Sequence, residues 1–535
     1  MLRKIPVCLL FVSMLLAGAS AADDRAAVDR LLERVVEQED HFVQDLRTRS
    51  AILETYIQET PSAEGAAATA VRDHYFLGTL AFDKGLDYTP LAASTEPPKG
   101  LRILSVFRKD SMVFMPSGFA QMVLIANEGF NRQNYAIEYA HREFIGEVRC
   151  LVFDVSPLDK KAPGKFIGRI WVEDRDYHIV RFNGTYTGST ASHVYFHFDS
   201  WRVNVASGQW VPAFIYVEES QPAGKGPVIP KFKAQTRLWG YNIAKTGKLD
   251  ELTSIAVEAE RTVTDNSAAA VSTPLESQRS WERQAETNVL ERLEKSGLLA
   301  PPGPVDEVLN TVVNNLIVTN HLAVEVKCRV LLTTPLETFS VGQTIVISRG
   351  LVDVLPDEAS LAMVLSAELA HIALGHRPDT HFAFSDQTMM REDELLGRFR
   401  LARPEEQIAS AGEKAIEMLS KSPYGAKLSN AGLFLKALGS KAGQLPSLIR
   451  ANLGNQLASS TMLRMRELAD QAPALEQDKL EQIAALPLGS RVRLDPWSNE
   501  ISLLKAKPVS LISARDKLPF EITPFSIFLS RAEAR

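Results

Sequence analysis

The stretch LSAELAHIALGH, residues 365–376, decides how the rest of the chain is read. Two histidines four apart on a helix point the same way. In the pattern H-E-x-x-H they converge on one zinc ion, and the intervening glutamate serves as general base on the metal-bound water. Here Glu368 holds the glutamate position and His371 the second histidine position, but position 367 is Ala367. A methyl group cannot coordinate a metal. The segment from Pro356 to Pro378 reads as the helix that carries this motif. Asp357 and Glu358 suit the positive end of the macrodipole, Leu361, Val364, Leu365, Leu369 and Ile372 form an apolar face, and Gly375 and Pro378 close it.

Outward from the motif, helix periodicity dominates from Val305 onward, with one β segment at 325–351. Upstream the texture differs. Residues 51–263 are rich in β-branched and aromatic residues with alternation, as in RCLVFDV (149–155), FIGRIWVED (166–174), YHIVRFNGTY (177–186) and QWVPAFIYVEE (209–219). Short polar turns such as Glu173-Asp174-Arg175-Asp176 separate them, the signature of an antiparallel meander. A helix over 23–49, with Val28, Leu31, Leu32, Val35 and Val36 at helix spacing, is expected to pack against a curved sheet. The fold class is therefore α+β in two domains: an N-terminal curved antiparallel sheet with a packed helix, and a mainly helical C-terminal domain. The boundaries are a signal peptide at 1–22, a β-rich domain at 23–265, a linker with a charged helix at 266–304, the helical domain at 305–475, and an extension with short strands at 476–535.

The leader MLRKIPVCLLFVSMLLAGASAADD has a positive start, an apolar run too short to span a bilayer comfortably, and an A-x-A cleavage site at Ala19-Ser20-Ala21. It predicts export, with a mature chain starting at Ala22 or Asp23. The position after Leu16-Ala17-Gly18 is Ala19 and not cysteine, so no lipid anchor is expected. No later stretch suits a transmembrane segment. A length of 535 residues, 45% hydrophobic and 23% charged, describes a globular chain of two or three domains, and a net charge of −6 argues against a nucleic-acid partner. Cys150 and Cys328 lack metal-site spacing and read as buried free thiols.

RGLVDVLPDEASLAMVLSAELAHIALGH (349–376) resembles the M48 family of zinc metallopeptidases, in which a β segment ending in R-G-L leads to a helix with A-H-E-x-A-H. ETFSVGQTIVISRGL (337–351) resembles that family's edge strand, and the resemblance covers residues 305–475. It implies a zincin-like fold. The departures fall on the metal ligands. The first family histidine is Ala367. The third family ligand, a glutamate in E-x-x-A-D, aligns with Leu428 or Ser429 in SPYGAKLSNAGLFLKAL (422–438), and no Asp or Glu occurs between Glu417 and Glu467. Two of three ligands are missing. Glu368 and His371 then read as a vestigial catalytic base and a vestigial metal ligand, a polar pair retained with the fold. The alternative is an active enzyme of that family with non-standard ligands drawn from His376, His381, Glu413 or Glu417. His376, five residues after His371, points elsewhere if the helix continues. No cofactor is predicted; zinc is implied only by the alternative.

Other chemistries find no support: no nucleophile elbow, phosphate loop or dinucleotide fingerprint is present. His193 and His197 share a strand face and read as packing groups, and Asn183-Gly184-Thr185 matches a frequent glycosylation pattern. FIGEVRCLVFDVSP with GRIWVEDRDYHIVRFNG (144–157 and 168–184) resembles the periplasmic lipoprotein-sorting and carrier fold, a curved sheet with an apolar cavity. The combination implies an exported, periplasmic or secreted cell-envelope protein acting as a binding, scaffold or quality-control adaptor. Envelope proteins or an acyl-chain ligand are the expected partners.

Overall fold

In the computed structural model, the described residues are 28–60, 70–83, 85–91, 114–126, 128–188, 195–219, 231–241, 274–380, 383, 399–459, 461–475, 492–494, 501–503, 522 and 527–532. The predicted signal peptide, most of the expected linker before the charged helix, His193 and His381 lie outside them. The chain runs from helix α1 (28–46) through strands β1 (Ser50–Thr60), β2 (Arg72–Ala81) and β3 (Asp87–Pro90). The meander follows as β4 (Tyr135–Ile145), β5 (Val148–Pro157), β6 (Phe166–Glu173), β7 (Ile179–Tyr186), β8 (Phe198–Ala206) and β9 (Gln209–Glu219), then β10 (Lys231–Trp239). Next come α2 (Pro274–Lys295), α3 (Pro304–Thr319), β11 (Lys327–Leu331), β12 (Glu337–Val341) and β13 (Thr344–Ser348). The motif helix α4 (Glu358–Ala373), α5 (Glu405–Ser420), α6 (Leu428–Lys441) and β14 (Asn455–Gln456) complete the elements used below. The chain is α+β, with extensive antiparallel sheet and helices. Among the described residues no helix is long and apolar enough to cross a membrane.

Two compact units emerge. The first gathers the described residues up to Thr48, Gln121–Val217 and those from Ile527 onward. Its strands β4 to β9 pair each with the next, all antiparallel, as the alternating sequence predicts. Helix α1 buries Leu32, Val35, Glu39, Phe42 and Leu46, a single stripe at helix spacing. Glu39 is the exception to the apolar stripe. Its carboxylate accepts two 2.7 Å hydrogen bonds from Arg202, whose guanidinium also stacks 3.6 Å from the Phe42 ring centre. Arg181 lies between Trp171 and Trp201, 4.3 Å from each ring centre. Trp171 and Trp201 belong to a core with Cys150, Val152, Trp210 and Leu529, so the C-terminal residues cover part of the sheet. The predicted turn at 173–176 is organised by Glu173, which accepts from the backbone N–H groups of Arg175, Asp176 and His178. Asn183 lies inside β7, its side chain 2.9 Å from His197.

The second unit comprises the described residues of Arg49–Ala120 and Glu218–Ser526. Its antiparallel strands run β3-β2-β1-β10, and its small sheet runs β11-β13-β12-β14. Buried Glu54 of β1 joins the two strand groups. It accepts from Arg237 of β10, from Tyr75 of β2 at 2.9 Å, and from the backbone N–H (2.6 Å) and hydroxyl (2.8 Å) of Thr334 just before β12. Helix α4 is buried along nearly its whole length, more than the one apolar face read from sequence, because Ala362, Met363, Ser366, Ala367 and Ala370 are covered too. Helices α3, α5 and α6 and strand β12 all pack against it. Asp357 caps its start by accepting from the Ser360 N–H at 2.8 Å.

The Glu39–Arg202 pair in the first unit makes a stability test. Removing one partner strands a buried charge. Glu39→Leu or Arg202→Met alone is expected to cost about 3–5 kcal/mol, and the double substitution much less than the sum. Urea unfolding followed through Trp171, Trp201 and Trp210 fluorescence measures this; additive losses would contradict it.

Candidate functional site

The second unit brings the motif residues together with side chains from three other segments. Glu368 and His371 are both 0% exposed. They are not bonded to each other. Arg464 bridges them: one terminal nitrogen donates to Glu368 Oε1 at 3.2 Å and the other lies 3.2 Å from His371 Nε2. Thr338 of β12 donates its hydroxyl to the same Glu368 oxygen at 2.8 Å, and Asn455 of β14 donates its amide at 3.1 Å. Thr338 and Asn455 stand opposite each other in the β12–β14 ladder, so strand register aims both at Glu368. Asn455 is fixed from the other side as well, accepting the Arg403 backbone N–H at 2.7 Å.

The tautomer of His371 follows from these contacts. A guanidinium only donates, so Nε2 accepts and the proton sits on Nδ1. Nδ1 lies 3.0 Å from His376 Nδ1, which therefore accepts. The contact with His376 reverses the expectation that this side chain points elsewhere. Helix α4 ends at Ala373, and Gly375 adopts φ 71°, the left-handed region. The Gly375 N–H bonds Ile372 O and the His376 N–H bonds His371 O, which is the Schellman pattern of helix termination. That pattern pairs the second residue past the helix with the third from its end, here two imidazoles, with ring centres 5.2 Å apart. A helix continued to 378 would have separated them.

Charge is set by burial and by arginine. Burial pushes Glu368 upward, but the Arg464 charge with the Thr338 and Asn455 hydrogen bonds outweighs it and leaves the carboxyl below its ordinary value. Burial pushes His371 down to about 4, against the pull of Glu368 and aided by Arg464 and Arg403, so the imidazole is neutral near pH 7. Arg403 donates to Ser340 O at 2.9 Å, Ser340 Oγ at 3.2 Å and His376 O at 3.4 Å, and burial lowers it to about 10.

The donor set does not fit a divalent cation. The methyl of Ala367 offers no ligand, and the Nε2 atom of His371 that would face a metal faces Arg464. Ser429 is exposed, and its neighbour Asn430 bonds Asp357 at the opposite end of α4. From Asp357 to Glu368 the axis rises about 16 Å at 1.5 Å per residue. Glu417 is likewise engaged elsewhere, with Lys414 and Lys421. Among the described residues no group of three or more His, Cys, Asp or Glu is placed to hold a metal ion. Sequence reading missed Thr338, Asn455, Arg403 and Arg464. A metal site calls for a downstream carboxylate, whereas a buried Glu368 without a metal needs a cation, and nothing local marks Arg464 over Arg450 or Arg466.

Acid titration tests this electrostatic picture. The unfolded chain protonates His371 near pH 6.5 and the folded chain only near 4, so between those values the unfolded state binds more protons. Stability should fall as pH drops across that window, by on the order of 3 kcal/mol from this group. His371→Gln should flatten that limb of a melting-temperature profile; an unchanged slope would refute the assignment.

The chain matches no family model and no curated protein.

Proposed function

We propose that the chain is an exported cell-envelope protein whose helical unit is a degenerate, inactive M48-like domain with a zincin-like arrangement, serving as a binding or quality-control adaptor. The observation that carries this reading is Arg464, whose guanidinium lies between Glu368 and His371. Resemblance to the family puts the metal on that side of the helix. Here a permanent organic cation stands in for the ion's charge and supplies no Lewis acidity. Glu368 is engaged by Thr338, Asn455 and Arg464, and without a metal no water of lowered pKa exists for it to deprotonate.

The strand edge supports the same reading. A peptide that adds to a sheet needs a free edge. The outer edge of β12 at Glu337 and Thr338 is paired with β14 of the same chain, and Ser340 O accepts from Arg403. In the first unit, α1 and the C-terminal residues each pack against the sheet.

Elemental analysis of the purified protein should find no stoichiometric zinc, and casein should remain uncleaved. Glu368→Gln should lower the melting temperature, because Arg464 loses its buried counter-charge, while leaving biological function intact. One zinc per chain together with peptide cleavage abolished by Glu368→Gln would overturn the proposal.

A further inference from the structure

The C-terminal residues 527–532 belong to the first unit and form neither helix nor strand. They touch three hairpins of the meander in succession, all at the same end of the strands. At the β4–β5 turn, Leu529 O accepts the Glu147 N–H at 2.8 Å. Gly146 there, at φ 62°, lies so close that a Cβ would stand 2.4 Å from the same oxygen. At the β6–β7 turn, Arg531 donates to Glu173 and lies 3.7 Å from Asp174. At the β8–β9 hairpin, the Ala532 N–H donates to Asn204 Oδ1 at 2.7 Å. The side chains alternate: Leu529 is buried, whereas Phe528 is 57% exposed.

Leu529 packs into the cluster that holds Trp171, Trp201 and Trp210. Strand register sets Val152, Trp171, Arg181 and Trp201 side by side across β5 to β8. Tryptophan and arginine are the residues that dominate the centres of protein–protein interfaces. Of residues 527–532, Leu529 alone is fully buried. Little apolar area therefore offsets the entropy of ordering the segment, and a ligand that fits better can displace it.

We propose that this face of the first unit is a peptide-recognition groove in which residues 527–532 sit as a resident competitor. A partner protein displaces them with a segment of the same chemistry: an aliphatic anchor, one intervening residue, then arginine. The anchor takes the place of Leu529 beside the tryptophans, and the arginine answers Glu173 and Asp174. The partner is a different protein and not a second copy of this chain. An identical tail in trans competes with a tethered one at an effective concentration in the millimolar range, and loses. A different segment can gain where the tail fits loosely, at the exposed Phe528 position and at the 3.7 Å gap to Asp174. This groove is independent of the metal-free reading of Glu368 and His371, so its failure leaves that reading untouched.

The experiment uses the full chain. Leu529→Asp with Arg531→Glu unseats the tail, and the probe is a fluorescein-labelled peptide of residues 527–535, IFLSRAEAR. Fluorescence anisotropy should show the variant binding the probe one to one, and wild type, whose groove is filled, binding it about ten-fold more weakly. Placing Leu529→Asp in the peptide should weaken its binding to the variant about ten-fold, and Arg531→Glu about three-fold, whereas Phe528→Ala should bind as the probe does. If the double variant does not fold, a protease site between Ser526 and Ile527 decides: after cutting, the seated tail should exchange for the labelled probe. No saturable binding by the folded variant, no exchange in the cut chain, or equal binding of the Leu529→Asp peptide overturns the proposal. Wild-type dimers in sedimentation equilibrium that the probe dissolves would put a second copy in the groove and overturn the choice of partner.

Discussion

A carboxylate in the middle of a helix that is covered on almost every side must find positive charge or lose its own. Glu368 finds it in Arg464, and strands of the second unit are placed to answer the same charge. Strand β12 must run close enough for Thr338 to donate. Strand β14 must pair in the register that presents Asn455. The turn before residues 466–471 must deliver Arg464, and there Met465 takes the left-handed conformation, φ 50°, which few non-glycine residues adopt. Bent backbone at a side chain that bridges two others indicates that surrounding contacts over-determine its position.

The same requirement explains why the pair cannot be dissected as two independent contacts. His371 is neutral because the arginine charge and burial act together, and its neutral form is what lets it accept from Arg464. A metal would take the same Nε2 lone pair, and Glu368 would then face a metal-bound water and not a guanidinium. The Arg464 guanidinium balances the Glu368 charge and supplies no Lewis acidity. The second unit shows this economy elsewhere, where Glu54 collects Arg237, Tyr75 and Thr334 around one buried charge.

Local pattern was legible in the sequence; long-range compensation was not. Alternation over 149–219 marked β5 to β9, because side-chain period and sheet pleat are the same geometry. The motif helix was legible from Asp357 through Gly375, and its start behaves as read. Its end shows the limit. Gly375 was recognised as a stop, but the Schellman turn that it makes also folds His376 back onto His371, a pairing that helix periodicity predicts against. The all-round burial of α4 was hidden for another reason. Ala362, Ala367 and Ala370 are small and fit any environment, so only the neighbours decide that they are buried. Arg403 and Arg464 carried no local mark, since a charge partner is chosen by the chain's path and not by spacing.

The distance along the chain between Glu368 and its partners has a bearing on how the protein is made. Asn455 and Arg464 lie 87 and 96 residues downstream. Until both have docked, the motif helix's glutamate has no counter-charge and burying it is costly. Closure of α4 is therefore a late, long-range event in folding, and a chain truncated before residue 464 should be held open by a single unanswered charge.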